Sequence, residues 1–273
     1  MALPRFFVSL PSAHPPLEAG QVGSIKCEKE VCHHIANVLR LKVGDRIEIA
    51  QRGKWTVWLC ELETVNANDV RVSVLEHIPQ ESLPVETTLV LGFSKGDTNE
   101  RVVRQTTELG VKRIVPVLFE RSISRPDEKR AKLKIERLRK VALSAAQQSH
   151  RLDVPVVEEL QSFSTAIELI SALQADLLIV PWEEERAASL TSTIKQAQLP
   201  KQIPVQHPDI PQVTESRYPH VVVTIGPEGG ISAGEIDTLR RIGVRSVSLG
   251  STILRVDTAA VAALAVVHEC LRQ

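Results

Sequence analysis

From residue 87 onward, short apolar and β-branched runs alternate with stretches of helix length, and this alternation narrows the fold more than any other feature of the chain. TTLVLGF (87–93), RIVPVLF (113–119), VPVVEEL (154–160), ADLLIVPW (175–182), VVVTIG (221–226) and RSVSLG (245–250) read as strands. Helices are expected over 98–109, 128–149, 164–173, 184–196, 233–241 and 257–271. Such a pattern gives an α/β domain with a mostly parallel sheet and helices on both faces. In a sheet of that kind a ligand sits beyond the carboxyl ends of the strands. Residues 198–219 are rich in Pro, Gln and His without periodicity, so an exposed loop is expected there.

Residues 1–77 follow another rule. RIEIA (46–50), WTVWLCEL (55–62) and DVRVSVLEH (69–77) are strand candidates, with turns at Gly53 and Asn66–Asp69 and one helix around Glu30–Leu41. This predicts a small β-barrel. The polar, proline-bearing stretch Ile78–Pro84 reads as a linker, so two domains are expected, 1–77 and 78–273.

No run of eighteen apolar residues occurs, and no membrane span is expected. The apolar start runs into Pro11, Pro15 and Pro16 without a basic region, so no signal peptide is expected either. The four cysteines form no framework, which fits a reducing, cytoplasmic setting. Cys27, Cys32, His33 and His34 have the spacing C-x4-C-H-H but no second distant pair, so no metal site is expected, and His34 is placed on the helix face that packs the small domain. Hydrolase motifs are missing as well.

Net formal charge is zero, yet the charge is unevenly spread. Residues 78–151 carry fifteen basic against nine acidic groups, and residues 152–273 the reverse, nine against fifteen. A basic middle can present a phosphate-binding face, or merely a solvated one. Arg101 and Arg104 share a helix face with Glu108, where Arg104 can pair with the glutamate. Lys140, Ser144, Gln147 and Arg151 fall on one stripe of the next helix, which suits RNA phosphates and base edges but equally a wet helix face.

Three strand-end loops carry the chemistry. Gly226-Pro227-Glu228-Gly229-Gly230 makes a tight turn whose backbone can approach a ligand, or a plain structural turn. Ser232 and Glu235 form a capping box, so a helix starts at once, and strand, turn and helix start together offer backbone N–H groups. The turn is neither G-x-G-x-x-G nor a P-loop, which argues against a dinucleotide or nucleoside triphosphate. The second loop runs from Leu249 and Gly250 through Ile253, Leu254 and Arg255 to Asp257 and Thr258. Ile253 and Leu254 line or underlie a pocket, and Arg255 is either a structural pair or a substrate contact. Asp257 or Thr258 is expected to cap the last helix. The third is Val180-Pro181-Trp182-Glu183, where Trp182 borders a flat ring or is an ordinary edge tryptophan. The last helix continues AAVAALAVV, apolar all round, and must be covered on every side, by its own domain or by a second subunit.

Taken in order, RFFV (5–8), HHIANVLRLKVGDRI (33–47), ERVVRQTTELGVKRIVP (100–116), Arg121-Ser122, KVALSAAQQSHR (140–151), IGPEGGIS (225–232) and LGSTILRVDTA (249–259) resemble the 16S ribosomal RNA uridine N3-methyltransferases of the SPOUT superfamily over essentially the whole chain. The resemblance implies a PUA-like barrel at the amino end and a trefoil-knotted α/β domain. It also implies an S-adenosyl-L-methionine site built from 180–183, 226–230 and 249–255, a homodimer through the last helix, and a 16S RNA substrate in the small ribosomal subunit. The sequence departs from the family pattern at Asp257 and Gln147, where Glu is usual, near Leu138, where Trp is frequent, and in a longer 203–219 insert.

On that basis the cofactor-binding residues are expected to be Val180, Trp182, Glu183, Gly226, Pro227, Glu228, Gly229, Gly230, Leu249, Gly250, Ile253 and Leu254. Arg255 is expected to stabilise charge developing on the uracil carbonyls, with Asp257 as base or cap. RNA is expected to meet Arg5, Arg40, Lys42 and Arg46 in the small domain and Arg101, Arg104, Lys140, Gln147 and Arg151 in the large one. The alternatives are a methyltransferase of the same superfamily acting on another base or RNA, and a non-catalytic RNA-binding assembly factor.

Overall fold

The computed structural model describes residues 3–8, 24–51, 57–66, 69–78, 83–206 and 214–272. The chain divides into two compact units. One comprises Met1–Ser82 together with Ser144–Val154, the other Leu83–Leu143 together with Pro155–Gln273. The stretches around Pro11, Pro15, Pro16 and Gly53, and most of the 78–84 linker, lie outside the described residues.

The first unit is built on a five-stranded sheet of β1 (Arg5–Val8), β2 (Ser24–Lys26), β3 (Arg46–Gln51), β4 (Val57–Val65) and β5 (Val70–Ile78), in the order β1-β3-β4-β5-β2. β1 pairs parallel with β3, and the other pairings are antiparallel. Alternation sets the faces: Ile47 and Ile49 are buried while Arg46 is exposed. Phe6, Trp58, Cys60, Leu62, Val70 and Val72 complete the core. The expected helix is shorter and irregular, with α1 (Lys29–His33) running into a π-helical turn, His34–Val38. β-Branched Ile35 and Val38 disfavour a long regular helix there. The His34 ring stands edge-on to Phe6 at 5.7 Å. Cys27 and Cys60 are buried, and burial pushes their thiols up to about 12.

The compact unit that holds residues 1–77 also takes in the return of the chain at 144–154. Arg5 explains the return. Its side chain is buried, with Nε on Glu48 Oε2 at 2.8 Å and Nη1 donating to the carbonyls of His150 and Arg151. His150 Nδ1 lies 3.0 Å from the same Glu48 oxygen. A buried guanidinium needs such partners, and here they come from the distant segment.

The second unit holds β6 (Glu86–Gly92), β7 (Arg113–Leu118), β8 (Val156–Val157), β9 (Gln161–Ser162), β10 (Leu177–Pro181), β11 (Ile203–Gln206), β12 (Thr214–Arg217), β13 (His220–Ile225) and β14 (Arg245–Val247). The main sheet runs β14-β10-β13-β6-β7-β8, with β9 also on β7. Every pairing in it is parallel. Helices α2 (Thr98–Glu108), α3 (Glu128–Gln148), α4 (Phe163–Ala172), α5 (Leu190–Ala197), α6 (Ala233–Arg241) and α7 (Val256–Arg272) accompany it. The central strands are buried almost throughout, as in a sheet covered on both faces.

Two expectations are corrected. The helix expected over 184–196 begins only at Leu190, capped by Ser189, because Glu185 accepts hydrogen bonds from the N–H groups of Ala187 and Ala188 and holds a turn instead. The segment 198–219 is not a plain loop. β11 and β12 pair antiparallel from Ile203↔Arg217 to Gln206↔Thr214. Strands of four residues, one of them wholly polar, leave little pattern in the sequence. α7 buries one face, Val256, Ala260, Ala263, Leu264 and Val267, and leaves Ala265 exposed with Val261, Ala262 and Val266 half-buried.

Candidate active site

The parallel strands β6, β10, β13 and β14 all end on the same edge, at Gly92, Pro181, Ile225 and Val247. A cavity of about 620 Å³ opens there, within the range that takes a cofactor-sized ligand. Its wall includes Gly226–Gly230, Ile253, Leu254, Arg255, Asp257 and Glu183. A smaller hollow of about 100 Å³ adjoins it, lined by Trp182, Arg186, Leu249 and Gly250 and sharing Glu183, Ile253 and Leu254. The three loops singled out in the sequence therefore converge on one place.

Glycine is required there for close approach. A Cβ on Gly92 would lie 2.2 Å from the Pro227 nitrogen, and one on Gly229 2.6 Å from the Arg121 carbonyl oxygen. Gly230 has φ +75°, and a Cβ would meet Glu183 Oε1 at 2.7 Å. The turn is thus pressed between the end of β6, the 121 loop and the end of β10. Behind it α6 begins in a full capping box: Ser232 accepts from the Glu235 N–H, and Glu235 Oε2 accepts from the Ser232 N–H. The other Glu235 oxygen accepts from Glu120 N–H at 2.7 Å. Glu228, also on the cavity wall, accepts from Lys95 N–H at 3.2 Å.

The start of α7 is different. The Arg255 carbonyl accepts the first helical bond, from Ala259 N–H at 2.8 Å, so Arg255 stands at the N-cap. An arginine side chain has no acceptor to offer the helix. The expected cap at Asp257 or Thr258 is corrected: both lie inside the first turn of α7. Asp257 Oδ1 accepts from Thr258 N–H at 3.0 Å, and its Oδ2 accepts from Arg101 Nε at 3.1 Å. Burial raises the Asp257 carboxyl, but the hydrogen bonds from Arg101 and Thr258 outweigh it and hold the group below the usual carboxylate range. A carboxylate held down in this way is a weak proton acceptor. Arg255, by contrast, is exposed at the cavity wall with no ion pair among the described residues.

The other expected site residues divide. Val180 is fully buried in the sheet and lines neither hollow. The Trp182 ring packs under Arg240 at 5.1 Å, and its buried indole N–H has no partner among the described residues. Arg40, Lys42, Arg46, Arg104 and Lys140 are exposed, and Gln147 is half-buried. Arg104 has no ion pair with Glu108 or any other described residue, leaving its cation open to solvent. Arg5 and Arg151 are corrections. Arg5 is held by Glu48 and two carbonyls, and Arg151 is buried with Nη2 on Asp153 at 2.7 Å. α3 ends at Gln148, so Arg151 does not continue the helical stripe, and neither guanidinium is presented to a phosphate. Arg101 lines the cavity rather than an outer face. Thr98, Ile225, Ile231, Val256 and Ala259 also line the cavity and were not expected. Ile225 ends β13, so it falls under the general rule that ligands sit at parallel strand ends.

Known protein families divide the chain near residue 80. Residues 81–268 match the model of the RNA methyltransferase domain, and residues 28–75 that of the RNA methyltransferase PUA domain. The chain belongs to this RNA methyltransferase family. Its relatives include ribosomal RNA small subunit methyltransferase E of Bacillus subtilis, 30% identical over 266 residues, which spans 96% of this chain and 95% of the relative. The protein of the same description from Synechocystis is also 30% identical, across 88% of this chain and 71% of its own. Among solved structures, ribosomal RNA small subunit methyltransferase E from Neisseria gonorrhoeae bound to S-adenosyl methionine superposes with a TM-score of 0.75 at 27% identity, covering 97% of this chain and 96% of that one. A PUA-like unit followed by a SPOUT-type parallel α/β unit is thus the architecture of the family. Among the described residues no helix is long and apolar enough to cross a membrane.

Proposed function

We propose that this family member transfers the methyl group of S-adenosyl-L-methionine to N3 of a uridine in 16S ribosomal RNA of the small subunit, in the cytoplasm. The observation that carries this reading is the convergence of 180–183, 226–230 and 249–255 on one 620 Å³ cavity at the strand ends. The Neisseria relative, which holds S-adenosyl methionine, supports the choice of cofactor. The residues present fit the group. Ile225, Ile231, Ile253 and Leu254 give an apolar wall for the ring and thioether-like parts, while the tight turn brings backbone close enough to bond polar atoms.

When bound, the cofactor supplies an electrophilic methyl on a sulfonium. The chain supplies the rest. Tight walls orient the donor, and placing the acceptor nitrogen in line contributes several kcal/mol. Arg255, exposed at the wall with no ion pair among the described residues, meets negative charge as it develops on the uracil oxygens. Asp257, held ionised by Arg101, leaves the N3 proton to solvent. The exposed cations Arg40, Lys42, Arg46, Arg104 and Lys140, with Gln147, meet RNA. The outward face of α7, Val261, Ala262, Ala265 and Val266, pairs with a second copy, and the return of the chain from β14 to α7 closes the trefoil knot.

Incubating small subunits that lack the modification with protein and labelled cofactor tests the reading. Nuclease digestion and mass spectrometry should find 3-methyluridine in 16S RNA. A different methylated base, or label in another RNA, supports the related-enzyme alternative. Binding to small subunits without cofactor binding supports an assembly factor.

A further inference from the structure

We infer that Arg101 is a positioning residue for methyl transfer, acting through Asp257 to hold the first turn of α7, and with it Arg255, against the cavity. The inference rests on the function proposed above and deepens it. Three nitrogens of the Arg101 guanidinium are engaged at once: Nε with Asp257 Oδ2 at 3.1 Å, Nη1 with Asp97 Oδ1 at 2.5 Å and Nη2 with Thr98 Oγ1 at 3.4 Å. Asp97 and Thr98 belong to the start of α2, and Asp257 to the start of α7, so one planar cation joins two helix starts. Thr98, Arg101, Asp257 and Arg255 all line the same cavity.

The start of α7 needs such a tie. Its N-cap residue carries no acceptor, and among the described residues Asp257 supplies the side-chain bonds that fix the first turn. One Asp257 oxygen closes on the turn itself, and the other reaches Arg101 across 156 positions of sequence. Without that second bond the turn is free to fray, and Leu254 and Arg255 move with it. The Arg101 side chain is 40% exposed and that of Asp257 19%, so the pair adds little to stability. Its effect therefore belongs in the rate. A displacement of about 1 Å in a reacting group costs on the order of 100-fold. The carboxylate partners hold Arg101 charged and Asp257 ionised, so the tie persists across the working pH range.

The test is a double-mutant cycle in the full-length protein. Arg101→Ala, Asp257→Asn and the double variant are compared in single-turnover methyl transfer to small subunits at saturating cofactor. Cofactor affinity is measured by calorimetry, and folding by thermal melting. Each single variant should transfer roughly 30-fold more slowly, and the double no more than about 30-fold, because both remove one tie. Cofactor Kd should stay within about 3-fold, and Asp257→Glu should recover the rate to within about 3-fold of wild type, since the carboxylate still reaches Arg101. Wild-type rates in both single variants, or losses that multiply in the double, overturn the inference. So does a loss confined to small-subunit affinity that disappears at low salt, which makes Arg101 a phosphate contact. A variant that melts out is replaced by Asp257→Asn read alone against Asp257→Glu; equal rates in that pair overturn it too. A wild-type protein that binds cofactor and transfers no methyl group overturns the proposed function itself, and this inference falls with it.

Discussion

α6 and α7 begin alike, each after a parallel strand and a glycine-bearing turn at the same edge of the sheet, yet their first turns are satisfied in opposite ways. α6 closes on itself. Ser232 and Glu235 exchange bonds, and Glu235, only 7% exposed, also anchors Glu120. α7 starts at an arginine that cannot cap it, and its order comes from Arg101 on another helix. The first helix start is a structural abutment for the 226–230 turn. The second is open to the cavity and leaves the Arg255 cation exposed there, where the proposed function has substrate charge develop. On the proposed function, local self-sufficiency belongs to the scaffold and its absence to the reacting side.

The largest effect is expected where both halves of the wall meet. Gly230→Val places a side chain at φ +75° against Glu183, and should weaken S-adenosyl-L-methionine binding by at least about 100-fold in calorimetry. Unchanged binding would mean that the turn is not part of the cofactor wall. Next, Arg255→Ala should slow methyl transfer by about 100-fold with an unchanged melting temperature. Ser232→Ala should do the reverse. Loss of the cap costs about 1 kcal/mol, or roughly 2–4 °C in melting temperature for a chain of this size, while transfer per folded molecule stays within about 2-fold. If Arg255→Ala melts early, or Ser232→Ala loses turnover while folded, the contrast between the two helix starts is wrong.

The smallest effect is one of pH and lies at the opposite end of the sheet. Burial holds His220 below the ordinary histidine value, against the opposing pull of Glu86 and Asp176. Its contribution to stability is complete above about pH 6.5, the unfolded value, and is lost as pH falls toward the lower folded value, where the native state must take up a proton. Asp176 is also lowered: burial raises it, but the bidentate bonds from Arg217 and the His220 N–H outweigh that. Its contribution holds above about pH 3.9 and is lost in stronger acid. Chemical denaturation between pH 7 and 5.5 should show stability declining in the wild type and a shallower decline in His220→Gln. Parallel slopes would remove His220 as the source.

Much of this was legible in the sequence because it is local. The alternation of strands and helices, outside 184–217, and the Ser232–Glu235 capping box each lie within a few residues and took the form expected. What the sequence hid is carried by distant pairs. Arg5 looks like a surface cation until Glu48 and the carbonyls of 150 and 151 close around it. Arg101 looks like part of a basic stripe until Asp257 meets it. The β11–β12 pair was missed because each strand is only four residues long and β12, TESR, is wholly polar. Asp257 was expected to cap α7 because aspartate favours that place, and it was displaced because the helix begins at Val256, with Arg255 at the N-cap.

The most direct measurement is a calorimetric titration of the wild-type protein and of Gly230→Val with S-adenosyl-L-methionine. One site per chain with micromolar affinity in the wild type, abolished in the variant, is the expected result. No binding by the wild-type chain, or equal binding by both, would show that the meeting of the 226–230 and 249–255 turns does not form the methyl-donor site.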